Sequence, residues 1–251
     1  MKNASPVLLE ICTASVEDCV IAEKGGADRV ELNAALTLGG LTPSLGTLSE
    51  AKQRVEIPII VMIRPRPGGF CYSAADFKVM QRDAELALAH GADGLAFGIL
   101  HEDGTLDEAR CRTLIQQVGD CPVVFHRAFD VVPDPFGTIE RLIDLGVRRI
   151  LTSGQEASAY NGATNIRRYR EQAAGRIEIL PGGGINRHTV ADVLTRTGCD
   201  QVHASLTTLH TDNSTQQRPH VTFGGVFRAP EDRYAATDVA AVSDLRARLD
   251  A

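Results

Sequence analysis

Short apolar runs and longer amphipathic segments alternate along the whole chain. Residues 7–12, 29–32, 57–63, 94–97, 122–125, 149–152, 178–180 and 201–204 are brief, mostly β-branched or aliphatic, and end in polar residues or glycine. Runs of this length bounded by turn residues predict buried strands. The segments between them carry apolar residues at helical spacing. Helices are expected from a cap at Ser15 to about residue 25, then over 45–55, 76–90, 107–118, 135–145 and 164–174, from a cap at Asn186 to 197, and over 240–249. A glycine–x–charged step precedes alternate strands: Gly26-Ala27-Asp28, Gly91-Ala92-Asp93, Gly146-Val147-Arg148 and Gly198-Cys199-Asp200. Glycine at such a place takes the left-handed conformation that stops a helix. Two of the intervening strands are entered through Pro58 and Pro122, where a strand needs no ladder donor.

Eight strand-then-helix units predict an α/β fold: one (β/α)8 TIM barrel over residues 1–251, with 205–251 as a divergent last loop and closing helix. The competing arrangement is an open doubly wound sheet. It is disfavoured because no G-x-G-x-x-G follows the first strand.

Composition narrows the function. The 26 basic and 32 acidic residues give a net charge of -6, against a nucleic-acid partner or a basic membrane-surface role. No apolar run approaches the roughly 20 residues of a membrane span. The N-terminus lacks a signal-peptide core, so a cytoplasmic location is expected. The six cysteines are scattered without a C-x-x-C pair and read as free thiols of a reducing compartment.

Reactive groups of an α/β barrel sit at the C-terminal ends of its strands. That rule selects Glu10, Glu31, Arg64, Arg66, His126, Arg127, Asp130, Thr152, Ser153, His203 and Ser205. Glu10, Glu31, Arg64 and His126 are expected to share one mouth. Glu10 and Glu31 are either structural ion-pair partners or, with His126 and Asp130, acid–base groups acting on a bound anion. In Gly182-Gly183-Gly184, followed by a helix expected at Asn186, a strand end meets flexible N–H donors and a positive helix terminus. With Ser205, and Arg64 or Arg127 above, this predicts an anion site; the alternative is a tight strand-to-helix turn. Arg64 and Arg66 lie on a proline-stiffened loop suited to capturing carboxylate or phosphate.

The segments LLEICTAS, GGADRVELNAALTLGGLTPSLG, IPIIVMIRPRPGGFCYS, VVFHRAFD, RRILTSG and LPGGGI together resemble the copper homeostasis protein CutC family. The resemblance implies a closed barrel, a cytoplasmic location, a homo-oligomer and a link to copper. It points to cysteines at the ends of the first two strands as copper ligands. Cys12 matches the first; Asn33 stands where relatives often carry the second, and Gly69 where an acidic group is common. Soft Cu(I) prefers thiolate pairs. Cys12 alone therefore predicts weak binding unless Met62 or Cys71 converges on it. Two further readings stay open: a barrel enzyme acting on a small anionic or phosphorylated substrate, and a barrel that only binds an anion.

Overall fold

A computed structural model describes residues 6–223 and 230–250. The predicted alternation is present: β1 (Leu8–Thr13), α1 (Val16–Lys24), β2 (Arg29–Leu32), α2 (Leu45–Lys52), β3 (Ile59–Met62), α3 (Ala74–Ala89), β4 (Gly94–Phe97), α4 (Glu108–Val118), β5 (Val123–Phe125), α5 (Pro135–Asp144), β6 (Arg149–Thr152), α6 (Ala163–Ala173), β7 (Glu178–Pro181), α7 (Val190–Thr197) and β8 (Gln201–Ala204). Local chemistry sets the boundaries. Ser15 caps α1 by accepting from the Asp18 amide, and Ser73 with Asp76 forms a capping box on α3. The four repeated glycines, Gly26, Gly91, Gly146 and Gly198, all take positive φ.

All eight strands are parallel, in the order β7-β6-β5-β4-β3-β2-β1-β8. A bridge between Gly182 and His203 links the two ends of that order, so the sheet closes into a barrel. Alternation then sorts the side chains. Outward residues such as Leu9, Ile11, Val30, Leu32, Phe97, Phe125 and Val202 pack under the helices. Ile60, Met62, Ala96, Val124, Leu151 and Leu180 fill the interior on the β3–β7 side. On the β8–β1–β2 side the interior positions are polar: Glu10, Cys12, Glu31 and His203, all buried. The middle layer of the barrel is thus apolar along β3–β7, while the β8–β1–β2 side is ionisable.

Two expectations need correction. Asn186 does not cap a helix, because α7 begins at Val190. Its backbone N–H and side-chain oxygen serve a local turn with Thr189 and His188. The tail is also more than a loop and a helix. Strands β9 (Thr207–Thr211) and β10 (Arg233–Thr237) form an exposed antiparallel hairpin that low apolar content hid from sequence reading. The closing helix α8 (Val239–Leu249) is present. It sets Val242 against Gly25, where an added Cβ would lie 2.5 Å from the valine, and ties Arg246 to Asp28 at 3.0 Å.

Candidate functional site

Parallel pairing with stagger brings three strand ends together. Glu10 lies opposite Arg29 on β2 and His203 on β8, while Cys12 lies opposite Glu31. The result is a buried trio, Cys12, Glu31 and His203, whose donor atoms all lie within 4.8 Å of one another. Cys12 Sγ is 3.9 Å from Glu31 Oε2. His203 Nδ1 sits 2.7 Å from Glu10 Oε1, which leaves Nε2 for the Cys12 side. The Asn33 amide donates to Glu31 Oε2 at 3.0 Å and to Cys12 Sγ at 3.4 Å. The residue in the place of a second thiol therefore holds the other two in register. Glu31 Oε1 is buried without a hydrogen-bond partner.

The charges are set by what surrounds each group. Burial pushes the Glu10 carboxyl up, but Arg29 and His203 overrule it and hold it at about 2. Burial works against a charged His203, yet hydrogen bonds to Cys12 and Glu10 and the charge of Glu31 raise it well above its ordinary value. Burial raises both the Cys12 thiol and the Glu31 carboxyl. Beneath the trio, Arg29 pairs with Glu10. Arg149 pairs with Glu178 at 2.7 Å, and the Gln201 amide bridges both arginines. The structural ion-pair reading thus holds for Glu10 and not for Glu31.

A thiol, an imidazole and a carboxylate in one buried cluster fit a metal of the copper or zinc kind. The Glu10–His203 contact is the carboxylate–histidine arrangement that orients a metal-bound imidazole. Neither alternative thiolate or thioether joins it: Cys71 is exposed, and Met62 belongs to the apolar flank. His203, grouped by sequence with the anion residues, is what the structure adds to Cys12. The signal was available, since a closed barrel makes the first and last strands neighbours.

The other candidates lie elsewhere. Arg64 and His126 lie just past the ends of β3 and β5, where they gather around Phe70 instead of joining the trio. His126 cannot act as a charged acid: burial and then the nearby Arg64 charge lower it to about 3. Arg66 turns to Asp76 at 3.1 Å and to the Cys71 carbonyl. Asp130 accepts from Thr152 Oγ1 at 2.5 Å, from the Ser153 N–H at 3.0 Å and from the Gln155 N–H at 3.2 Å. Arg127 donates to Asp130 at 2.8 Å and to Ser153 Oγ at 2.7 Å. These residues hold the loop after β6. The Gly182 N–H is taken by the Thr152 carbonyl. Gly183 and Gly184 have φ of +101° and +72°, and a Cβ at 183 would meet Arg127 and Ser153 within 3.4 Å. Ser205 is exposed at the end of β8. The helix terminus expected beside the three glycines is displaced to Val190.

Among the described residues, no helix is long and apolar enough to cross a membrane. A family model described as the CutC family matches residues 7–208. A CutC family protein of Treponema denticola is 49% identical over 232 residues, covering 92% of this chain and 93% of that protein. The human copper homeostasis protein cutC homolog is 44% identical over 244 residues, covering 97% and 89%. A crystal structure of CutC from Streptococcus agalactiae superposes with a TM-score of 0.76 at 35% identity, over 78% of this chain and 97% of that one. Phosphoribosylanthranilate isomerase of Thermotoga maritima, at 13% identity and a TM-score of 0.57, shares the fold alone.

Proposed function

This chain belongs to the CutC family, and from that premise we propose that it serves copper homeostasis by holding one Cu(I) ion as cargo at the polar flank of its barrel. Cys12 and His203 supply the two soft or borderline donors, and Glu31 stands beside them as a weaker oxygen donor. One observation carries the reading: three ligand-type side chains, all buried, converge within 4.8 Å, while the histidine is oriented from behind by Glu10. Loading requires Cys12 to ionise and His203 to be neutral, so uptake releases protons and weakens as pH falls. A single thiolate holds Cu(I) less firmly than a pair, which suits a protein that must hand its cargo on.

The assay is Cu(I) competition titration against chelators of graded strength. One ion per chain should be retained against a weak chelator, surrendered to a strong one, and lost in Cys12→Ser and in His203→Ala. Absence of binding, or binding indifferent to both substitutions, contradicts the proposal.

A further inference from the structure

At the ends of β3 and β5 and in the loop after β3, three buried polar side chains each carry one atom without a hydrogen-bond partner among the described residues. Arg64 is 6% exposed. Its terminal nitrogens donate to the carbonyls of Leu38, Gly39, Gly40 and Gly68. It forms no ion pair among the described residues, and its Nε has no partner. A buried guanidinium compensated only by neutral carbonyls is costly, because the charge itself is unanswered. His126 is 4% exposed and takes the Ala128 N–H on Nδ1 at 3.2 Å, so its own proton lies on Nε2. That Nε2 is buried and unpartnered. The Tyr72 hydroxyl, on a side chain 4% exposed, is likewise unpartnered.

Proximity ties Arg64 to His126, and Arg64 is near enough to Tyr72 to oppose the effect of its burial. The Arg64 guanidinium lies 5.2 Å over the Phe70 ring, and the His126 ring is 5.0 Å from that same ring. Burial lowers His126 and the Arg64 charge lowers it further. Burial raises the Tyr72 phenol, with Arg64 the largest opposing influence. His126 therefore stays a neutral N–H donor at physiological pH. One full positive charge and two neutral donors, over an aromatic floor and with no carboxylate paired to the charge, make the chemistry of an oxyanion receptor.

We infer that Arg64, His126 and Tyr72 form a binding site for a small oxyanion, a carboxylate or a phosphate, separate from the copper ligands. This moves the anion from the glycine turn after β7 to the opposite side of the mouth. The loop residues Leu38–Gly40 that grip Arg64 also reach Asn33, since a Cβ at Gly40 would lie 2.4 Å from the Asn33 oxygen. An anion there would thus be felt by the residue that braces Cys12 and Glu31.

The test uses chelator-treated full-length protein, so that copper plays no part. Calorimetric titrations with inorganic phosphate and with acetate separate the two sources of the oxyanion. One of them should bind at one per chain with a dissociation constant in the millimolar range or tighter. Arg64→Met should abolish binding. Tyr72→Phe, which removes only a hydroxyl without a partner and should leave the fold intact, should weaken it about tenfold. Arg127→Met, which removes the guanidinium beside Gly183, should leave it unchanged. No binding of either anion at 20 mM (about 20 mM being the weak limit of a useful site), binding untouched by Tyr72→Phe, or loss in Arg127→Met instead would overturn the inference.

Discussion

Replacing Arg29 by Met removes the one guanidinium paired with Glu10 among the described residues; Glu10 is a carboxylate 1% exposed. Loss of one member of a buried ion pair costs about 3–5 kcal/mol, because the remaining charge is stranded. Two details of this barrel place the expected value near the lower end, about 3 kcal/mol. His203 still hydrogen-bonds Glu10 at 2.7 Å. Arg149, whose ionisation the Arg29 charge opposes, gains from its removal. For a chain of this size, about 3 kcal/mol corresponds to a fall in Tm of roughly 6–12 °C. The double variant Glu10→Gln with Arg29→Met no longer strands a charge and should recover about 2 kcal/mol of the loss, a coupling that an additive pair would not show. Urea unfolding supplies the assay. Glu10 is held at about 2, below its ordinary 4.5, so the stabilisation is complete above pH 4.5 and disappears as pH falls through 2. The deficit of the single variant should shrink over that same window. An Arg29→Met protein within 1 kcal/mol of the parent (about RT ln 5), or a deficit constant from pH 7 to 2, would show that Glu10 does not depend on this ion pair.

Glu31→Gln should stabilise the copper-free protein by about 1–3 kcal/mol at neutral pH, since it neutralises a buried carboxyl with an unpartnered oxygen. Because burial raises that carboxyl, the gain should be present at neutral and higher pH and vanish below pH 4.5, where the acid is neutral in both states; scanning Tm against pH checks both limbs. Asp130→Ala strips the acceptor from Thr152, Ser153 and Gln155 and should cost about 2–3 kcal/mol, with faster hydrogen exchange at the Ser153 amide as the local signature.

Much of the barrel is legible in the chain because its signals are local. Strand runs, the cap at Ser15 and the glycine echo each depend on a few adjacent residues. The cap expected at Asn186 failed for an equally local reason: Thr189 and His188 close a turn there, and the helix starts later, at Val190. The hairpin of β9 and β10 is mostly exposed, so no hydrophobic alternation announced it. Strand-end position found Glu10, Glu31 and His203 individually, and the family resemblance pointed to Cys12. Their grouping was not local, because it depends on ring closure and on the stagger that sets Cys12 opposite Glu31 and Glu10 opposite His203. Arg64 and His126 were likewise found, but which side of the mouth they take follows from the Phe70 loop that folds over them.

X-ray absorption at the copper edge of protein loaded with one Cu(I) per chain bears most directly on the central claim. One sulfur and one imidazole nitrogen are expected as the principal ligands, with the sulfur signal lost in Cys12→Ser and the imidazole signal lost in His203→Ala. Two sulfur ligands, or a shell of nitrogen and oxygen alone, would contradict it.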